Sequence, residues 1–394
     1  MMIILFDDQF RNALLPLAFT RPVATLRIGI LTIAEKWAKR FKTEHSFLTE
    51  GYLQKKFPFK VSEINILING SVCPDEGLME ALDKLNEGEA LISGAFVIAV
   101  KLNRTNAETF KVNLIEKYVG VEYSKSFTKI QFPENIFSFN DLEIRKDFDL
   151  ITAGRHSEKL SSTNILLGDH IFIEEGVEAE CSTFNTKAGP IYIGKNSQIW
   201  EGSHIRGSFA LCHDSQVKMG SKIYGMTTIG PYSRVGGEIN NSVILGYSSK
   251  GHEGYLGNSV LGEWCNIGAD SNNSNLKNNY AEVRLWDYEK ENFRKTGLQF
   301  CGLIMADHSK CAINTMFNTG TVIGVSANIF GSGFPRNFVP DFAWGGPQGF
   351  DVYALNKMFE TAEKVFERRH MVFDEVEKEI LTVIFELTSK FRKF

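Results

Sequence analysis

The sequence predicts an α/β domain, then a parallel coil of short β-strands, then a helical tail. Three observations indicate this order. Strand-like and helical stretches alternate over the first 150 residues, apolar residues recur every six positions downstream of residue 160, and residues 350 to 394 carry Glu, Lys, Phe and Leu at helical spacing. We place the domains at residues 1–155, 156–335 and 336–394.

The N-terminal domain is predicted from the alternation of apolar runs with amphipathic stretches. Strand-like runs occupy residues 3–6, 64–68 and 91–100, and helical stretches occupy 30–41 and 77–86. Strands that alternate with helices are typical of an α/β unit. We therefore expect an α/β domain.

The central region is predicted from a repeat of period six. Eight consecutive apolar positions are spaced six residues apart: Ile193, Ile199, Ile205, Leu211, Val217, Ile223, Ile229 and Val235. This period matches neither the 3.6 residues of a helical turn nor the alternation of a hairpin strand. It favours a solenoid in which each rung sends one aliphatic side chain to the axis. A β-sandwich with coincidental spacing stays open as the alternative.

The last two segments follow the repeat. Residues 334–349 are rich in Pro, Gly and aromatic residues and predict a connector. The tail from 350 to 394 predicts one or two amphipathic helices.

Composition excludes several classes of protein. Lys and Arg number 43 against 47 Asp and Glu, a net charge of −4, and no dense basic run is present, so a nucleic-acid partner is not expected. The first ten residues are too short an apolar stretch for a leader or a membrane span, so we expect a cytoplasmic protein without a membrane partner. The six cysteines show no CxxC spacing and are predicted to be small buried hydrophobes. No metal site is predicted, because the histidines are not clustered.

Residues 248–279 form a turn-rich segment that contains seven asparagines and a histidine between glycines. Its stretch GHEGYLGNSVLGEWCNIGA resembles the acetyltransferase signature of the bifunctional uridyltransferase/acetyltransferase family that makes UDP-N-acetylglucosamine. More closely, the chain is similar to the archaeal-type sugar-1-phosphate nucleotidyltransferases with a left-handed parallel β-helix of hexapeptide repeats, and it resembles a divergent bacterial branch of that group. The resemblance extends over about residues 160–335, and it implies that the coil is left-handed.

The resemblance also implies roles for single residues. His252 takes the position of the catalytic histidine, and Tyr255 that of the tyrosine contacting the sugar phosphate. Asn266 matches the asparagine that binds the amino-sugar, and Asn275 a second asparagine at the site. An imidazole can accept a proton near neutral pH, as acetyl transfer to an amine requires. The resemblance further implies acetyl-CoA as donor, a sugar phosphate as acceptor and a homotrimer.

Other residues of this region leave two interpretations open. Lys250 could contact a sugar phosphate or the diphosphate of CoA, or it could be a solvated residue on a turn. The asparagines at 272–279 could bind a ligand, or they could form amide ladders that stabilise the coil. For His308 we favour a structural or substrate-lining role.

The N-terminal region departs from the family it resembles. Residues 6–29, FDDQFRNALLPLAFTRPVATLRIG, lack the glycine-rich loop that cradles a triphosphate, and INGSVCP at 68–74 has Asn69 where the family has a metal-binding aspartate. We name Arg11, Arg21, Arg27 and Asn69 as candidate nucleotide or phosphate contacts, with surface salt bridges as the alternative for each arginine.

The sequence therefore leaves two functions open. The first is an acetyltransferase of sugar-nucleotide biosynthesis, with nucleotidyl transfer as a further activity if the first domain binds Mg²⁺ and a nucleoside triphosphate. The second is a non-catalytic regulatory or scaffold protein whose N-terminal domain senses a sugar nucleotide.

Overall fold

The computed structural model describes residues 1–112 and 117–394, which divide into two compact units. Unit 1 contains residues 1–14, 18–26 and 31–131. Unit 2 contains residues 132–394 together with the short pieces 15–17 and 27–30.

Unit 1 is built around one mixed six-stranded sheet in the order β2-β1-β3-β5-β4-β6. Its strands are β1 (Met2–Phe6), β2 (His45–Leu48), β3 (Ile64–Asn69), β4 (Glu89–Ser93), β5 (Phe96–Asn103) and β6 (Val119–Glu122). Its helices are α1 (Ile33–Phe41), α2 (Glu76–Asp83) and α3 (Arg104–Glu108). Strands β1, β2 and β3 run parallel, and β5 runs antiparallel to β3 and β4. The predicted α/β class is confirmed.

Local sequence explains where the elements of unit 1 begin and end. Helix α1 begins at a capping box in which the Thr32 hydroxyl accepts from the amide of Glu35, and the Glu35 carboxylate accepts from the amide of Thr32. Asp75 caps α2 by accepting from the Leu78 amide at 2.8 Å. The run at 91–100, predicted as one strand, is two antiparallel strands, because Gly94 adopts the positive φ that a tight turn requires.

Unit 2 contains a parallel β-solenoid with three faces. The first face consists of β7 (Ile165–Leu167), β10 (Thr183–Asn185), β13 (His204–Arg206), β16 (Lys222–Ile223), β19 (Glu238–Asn240) and β22 (Tyr255–Gly257), and the pair β25 (Asn272–Asn273) and β30 (Met316–Phe317) forms a separate small sheet. The second consists of β8 (Ile171–Ile173), β11 (Ile191–Ile193), β14 (Phe209–Leu211), β17 (Thr227–Ile229), β20 (Val243–Gly246), β23 (Val260–Glu263), β28 (Leu303–Met305), β31 (Thr321–Ile323) and β33 (Phe338–Val339).

The third face has ten strands and closes each coil. It consists of β9 (Glu178–Ala179), β12 (Gln198–Ile199), β15 (Gln216–Val217), β18 (Arg234–Val235), β21 (Ser249–Lys250), β24 (Asn266–Ile267), β29 (Lys310–Cys311), β32 (Asn328–Ile329), β34 (Ala343–Gly346) and β35 (Gly349–Val352). All its neighbours pair in parallel except β34 and β35, which form a hairpin at the edge. The β-sandwich alternative is thereby excluded.

The period-six residues form the axial core. Ile199, Ile205, Val217, Ile223 and Ile229 are each at most 2% exposed and belong to one continuous apolar cluster. Stacked coils bury this column without a second sheet, because each coil covers its neighbour. The predicted hexapeptide β-helix, with an α/β domain before it and helices after it, is confirmed.

Two helices before the solenoid also belong to unit 2. Helices α4 (Pro133–Ser138) and α5 (Asn140–Thr152) are fixed to the coils by polar side chains. The Asn140 amide donates to the Met226 carbonyl at 2.9 Å, and Ser208 donates to the Asp141 carboxylate at 2.5 Å. The compact boundary therefore lies near residue 131, whereas the alternation of elements predicts one near 155.

The C-terminal part combines a last rung with two helices. Residues 334–349, predicted as a connector, contain β33 and β34 and so continue the solenoid. The tail forms α6 (Leu355–Glu367) and α7 (Glu375–Leu387), as predicted. A hairpin of β26 (Arg284–Asp287) and β27 (Asn292–Lys295) interrupts the coils.

Two further sequence expectations concern membranes and cysteines. Across residues 1–112 and 117–394, no helix has both the length and the apolar character needed to cross a bilayer. All six cysteines are free thiols, and five are buried as predicted. Cys181 is exposed at a coil corner, where it adopts a positive φ.

Candidate active site

The histidine segment forms a corner of the solenoid. Strand β21 ends at Lys250 on the third face, the chain turns through Gly251–Gly254, and β22 begins at Tyr255 on the first face. His252 lies in this corner with an exposed side chain. The sequence therefore presents the imidazole to solvent between two faces of the coil.

Glycines in the coil below set the position of the corner. A Cβ on Gly236 would lie 2.8 Å from the Gly251 carbonyl oxygen, and one on Gly237 would lie 2.9 Å from the His252 carbonyl oxygen. Both distances are too short for a side chain, so only glycine permits this close stacking. In the coil above, the Asp270 amide donates to the Glu253 carbonyl at 3.0 Å. The loop is thus held from both sides.

Lys250 lies in a place that the sequence does not predict. In register it pairs with Val235, an axial residue, and it is 1% exposed, so its side chain fills a core position. Its ammonium donates to the carbonyls of His252 at 2.5 Å and Glu253 at 3.2 Å. Burial lowers the pKa of Lys250 to about 8, and the Glu253 carboxylate opposes that shift. The ammonium points inward to the corner loop, so these hydrogen bonds do not support the predicted contact with a substrate phosphate.

Tyr255 and Asn275 are brought together. The Asn275 amide donates to the Tyr255 hydroxyl at 2.9 Å and to the Asn258 side-chain carbonyl at 2.7 Å. The Tyr255 backbone amide donates to the Asn272 side chain at 2.7 Å. Burial raises the pKa of Tyr255, so its phenol stays protonated at neutral pH. The ring is consequently fixed in orientation three residues after His252.

Asn266 lies on the other side of the corner. It is exposed on the third face, and its register partner in the coil below is Ser249, which precedes the corner by two residues. Tyr255 therefore follows the corner on the first face, and Asn266 lies on the third face, one coil above a residue that precedes the corner.

Several of the remaining asparagines, and also His308, have structural contacts. Asn273 accepts from the Gly257 amide and donates to the Gly257 carbonyl, both at 3.0 Å, so its side chain bonds to the backbone of the neighbouring coil and stabilises the solenoid. His308 is 6% exposed, and its ring lies parallel to Trp264 and Phe366. His308 therefore serves packing, one of the two roles favoured from the sequence.

Unit 1 places a polar cluster at the carboxyl ends of β1 and β3. Asp7 accepts from the Thr49 hydroxyl at 2.5 Å and from the Val23 amide at 3.0 Å, and it pairs with Arg11 at 3.3 Å. Burial raises the pKa of Asp7 to about 6, although Arg11 and the hydrogen bonds lower it. Sequence reasoning missed Asp7. The signal that could have found it is the pair of aspartates directly after the strand IILF, since ligands of parallel sheets gather at such ends.

Two predicted phosphate contacts in this cluster already have protein partners. Arg11 donates to the Ala18 carbonyl and to the Tyr52 hydroxyl in addition to Asp7. Asn69 donates to the Asp8 carboxylate at 2.8 Å and accepts from the Ser71 hydroxyl at 2.7 Å. The prediction that they bind phosphate is not supported. Arg11 is paired with the Asp7 carboxylate, and Asn69 is bonded to Asp8 and Ser71, so both side chains already have partners within the protein.

The other two arginines are also buried. Arg27 belongs to unit 2 and donates to the carbonyls of Ile30 and Leu245, so it anchors backbone within that unit. Arg21 is 6% exposed in unit 1. Among residues 1–112 and 117–394, no group of three His, Cys, Asp or Glu side chains is arranged to hold a metal ion.

Comparison with known proteins finds a family for the N-terminal part of the chain, and the matched range extends past residue 131 into the helices of unit 2. Residues 3–156 match the family model described as sugar nucleotidyl transferase. The bifunctional protein GlmU of Clostridium novyi is 25% identical over 209 residues, which cover 51% of this chain and 42% of that protein. The GlmU of Methanococcus aeolicus is 27% identical over 192 residues, covering 46% and 41%. The chain resembles GlmU at the family level.

The similarity is partial in length and weak in structure. The chain spans less than half the length of these curated relatives. Among solved structures, a UDP-N-acetylglucosamine acyltransferase from Campylobacter jejuni aligns over 59% of this chain and 83% of its own, with 12% identity and a TM-score of 0.31. So low a score adds nothing to the assignment of function.

Proposed function

We propose that the chain is a transferase of sugar-nucleotide biosynthesis, in which unit 2 moves an acetyl group from acetyl-CoA to an amino-sugar 1-phosphate. One observation carries the proposal. The GHEGYLG sequence folds into a corner that exposes His252 while fixing its backbone from two coils and from Lys250. A reactive side chain on an otherwise immobilised loop is what general-base catalysis requires.

The reaction balances with His252 as the only proton carrier. The amine nitrogen attacks the thioester carbonyl carbon, and the imidazole accepts the proton that the nitrogen loses. When the tetrahedral intermediate collapses, the carbon–sulfur bond breaks and the CoA thiolate takes a proton from the imidazolium. The products are the N-acetyl sugar phosphate and free CoA.

Acceptor binding is assigned to the residues beside the corner. Tyr255 offers a phenol whose orientation is fixed by Asn275, and Asn266 offers an exposed amide on the adjoining face. Amides and phenols are uncharged and can select the hydroxyl pattern of a sugar. Asn275 acts by holding the tyrosine. Acetyl-CoA is proposed to reach the corner from a neighbouring solenoid in a homotrimer, an arrangement taken from the family resemblance.

Nucleotidyl transfer by unit 1 is proposed to be weak. The sequence lacks a phosphate-cradling loop, and Arg11 and Asn69 are committed to protein partners. Pyrophosphate release from UTP and a hexosamine 1-phosphate, measured with Mg²⁺, tests this point. Robust release would assign the chemistry to other groups at the strand ends.

The central experiment is release of the CoA thiol by the full chain across a panel of amino-sugar phosphates. We expect His252→Ala to lower turnover by about 10²–10⁴-fold without changing the circular dichroism spectrum. His204→Ala is the matched control, because His204 is an exposed histidine on the first face, three coils before Tyr255, and it should retain full activity.

Two outcomes would refute the proposal. Unchanged turnover in His252→Ala would remove the histidine from the mechanism. Failure of the unmodified protein to acetylate any member of the panel would favour the regulatory alternative, for which thermal shifts with sugar nucleotides are the direct assay.

A further inference from the structure

Unit 2 contains a cavity of about 720 Å³ whose lining does not include His252. The hairpin β26–β27, the last coils and the final residues of the chain line it. Its volume is within the range of pockets that bind small molecules. None of the predicted substrate contacts lies in its wall.

The wall is strongly basic. Among the described residues, five cationic side chains line the cavity and no carboxylate does: Lys277, Arg284, Arg336, Lys390 and Lys393. The positive charges converge although the whole chain carries a net charge of −4. A concave surface lined by one sign of charge concentrates ligands of the opposite sign.

Some of these cations already have polar or ionic partners, and the guanidinium of Arg336 lies over the Phe350 ring, 5.8 Å from its centroid. Lys390 pairs with Glu291, and Lys277 donates to the Glu282 carbonyl at 2.9 Å. Within the part of the chain that the structure describes, Arg284 and Arg336 form no ion pair, and both are exposed. An arginine without a carboxylate partner offers a planar fork that fits a phosphate group.

The other chemistry of the wall is aromatic. Trp286 and Phe338 are stacked, with ring centroids 4.2 Å apart and an interplanar angle of 9°. Phe391 meets both rings edge-on, and Phe293 meets the indole edge-on. All four rings are half-buried, so each keeps some surface toward the cavity. Flat aromatic surfaces bind nucleobases by stacking.

Buried ion pairs hold this wall in place. Both guanidinium nitrogens of Arg294 donate to Glu134 at 2.5 Å, and Arg294 also lies 3.6 Å from Asp287. The Tyr288 hydroxyl donates to Asp341 at 2.8 Å. Because these residues belong to the hairpin or pack against it, the aromatic surface is preorganised and binding would not require it to form.

We propose that this cavity binds a phosphorylated nucleoside, with its base against the aromatic rings and its phosphates between Arg284 and Arg336. An inorganic anion would gain nothing from the rings, and an uncharged aromatic compound would gain little from the cations. Only a ligand with both parts uses the whole wall. A free nucleotide and the nucleotide end of CoA share this chemistry, and the proposal does not depend on catalysis at His252.

The test measures binding to the full chain by calorimetry and tryptophan fluorescence. UDP represents a uridine nucleotide, and CoA with adenosine 3′,5′-bisphosphate represents the donor. Pyrophosphate controls for charge alone. We expect at least one nucleoside phosphate to bind, and Arg284→Ala and Arg336→Ala each to weaken it about tenfold or more. The matched control is Arg206→Ala, an exposed arginine on the first face, which should bind normally.

The different ligands and variants in this test distinguish the two possible ligands from each other and from a failure of the proposal. Binding of UDP alone identifies a free nucleotide, and binding of CoA and the bisphosphate alone identifies the donor. Trp286→Phe should abolish the fluorescence change and keep the calorimetric signal. Equal affinity for pyrophosphate, or equal loss in Arg206→Ala, would overturn the proposal. His252→Ala should bind as the unmodified chain does, so a failed acetyltransferase assay leaves this result unaffected.

Discussion

The strand ends of unit 1 and the corner of unit 2 treat their polar side chains in opposite ways. At the strand ends the polar side chains are buried and bond to other protein groups. Arg11 pairs with Asp7, and Asn69 donates to Asp8. At the corner, His252 is exposed while the groups that hold its loop are buried. Reactive groups need access to substrate, and structural groups need partners. The difference supports the proposal that acetyl transfer takes place at the corner of unit 2, and it favours a stabilising role for the polar cluster of unit 1.

The largest effect expected from this comparison is on folding. Arg11→Met should lower the free energy of unfolding by about 3–5 kcal/mol, because it leaves the buried Asp7 carboxylate without its cation. Urea denaturation of the full chain measures it. Arg206→Met, which changes an exposed arginine, should stay within about 0.5 kcal/mol.

One result would invert the comparison for unit 1. If Arg11→Met kept its stability but lost affinity for UTP, Arg11 would be a phosphate ligand and the strand ends a functional site. The side chain would then have to leave Asp7 and Tyr52 when the nucleotide binds.

The core of the solenoid was predictable because its signal is periodic. A column of aliphatic side chains needs the same residue type once per rung, and Ile199, Val217 and Val235 supply it at steps of 18 residues. The site residues beside the corner were predictable by a different route, since a short motif fixes His252 and Tyr255 relative to each other. Their assigned chemistry remains a prediction.

The axial position of Lys250 could not be predicted, because the number of residues per coil changes at this point. Val235 and Lys250 pair across a coil of only 15 residues, so the six-residue phase no longer marks which side chain faces the axis. Some partners of Arg11 and Asn69 were equally hidden. Tyr52 lies 41 residues from Arg11 and Asp8 lies 61 residues from Asn69, and no local pattern records such contacts.

The second prediction concerns Lys250, a positioning residue that contacts no substrate in the proposed reaction. Lys250→Met restores an apolar axial side chain but removes the ammonium from the His252 and Glu253 carbonyls. We expect turnover to fall about tenfold, since loss of loop geometry lowers the rate. The Michaelis constant for acetyl-CoA should change little. A structural role alone would alter stability and leave turnover unchanged.

Whereas turnover should fall in Lys250→Met, the free energy of unfolding should rise, and the size of this rise should depend on pH. The pKa of Lys250 is lowered from 10.5 to about 8 in the folded chain, so burying the charged form costs about 3 kcal/mol below pH 8. That cost disappears as pH rises from about 8 to 10.5, where the unfolded chain also loses the proton. Lys250→Met should therefore be more stable than the unmodified protein at pH 7, and the gap should close by about pH 10.5. A gap that does not depend on pH would contradict the assignment.

The smallest effect is expected at Asn266, which lies beside the corner and not in it. Asn266→Ala removes an exposed amide from the third face, next to Ser249 in register, and no buried partner is left unsatisfied. Folding should be unaffected, and the Michaelis constant for the amino-sugar phosphate should rise about tenfold with a smaller change in turnover, because a binding contact common to ground and transition states is lost. Asn272→Ala is the contrasting variant, since the Asn272 side chain accepts from the Tyr255 amide and should affect stability as well. The contrary result would be that Asn266→Ala reduces turnover as strongly as His252→Ala. The Asn266 amide would then have to act on the reacting atoms, and the corner would contain two catalytic groups instead of the one that we propose.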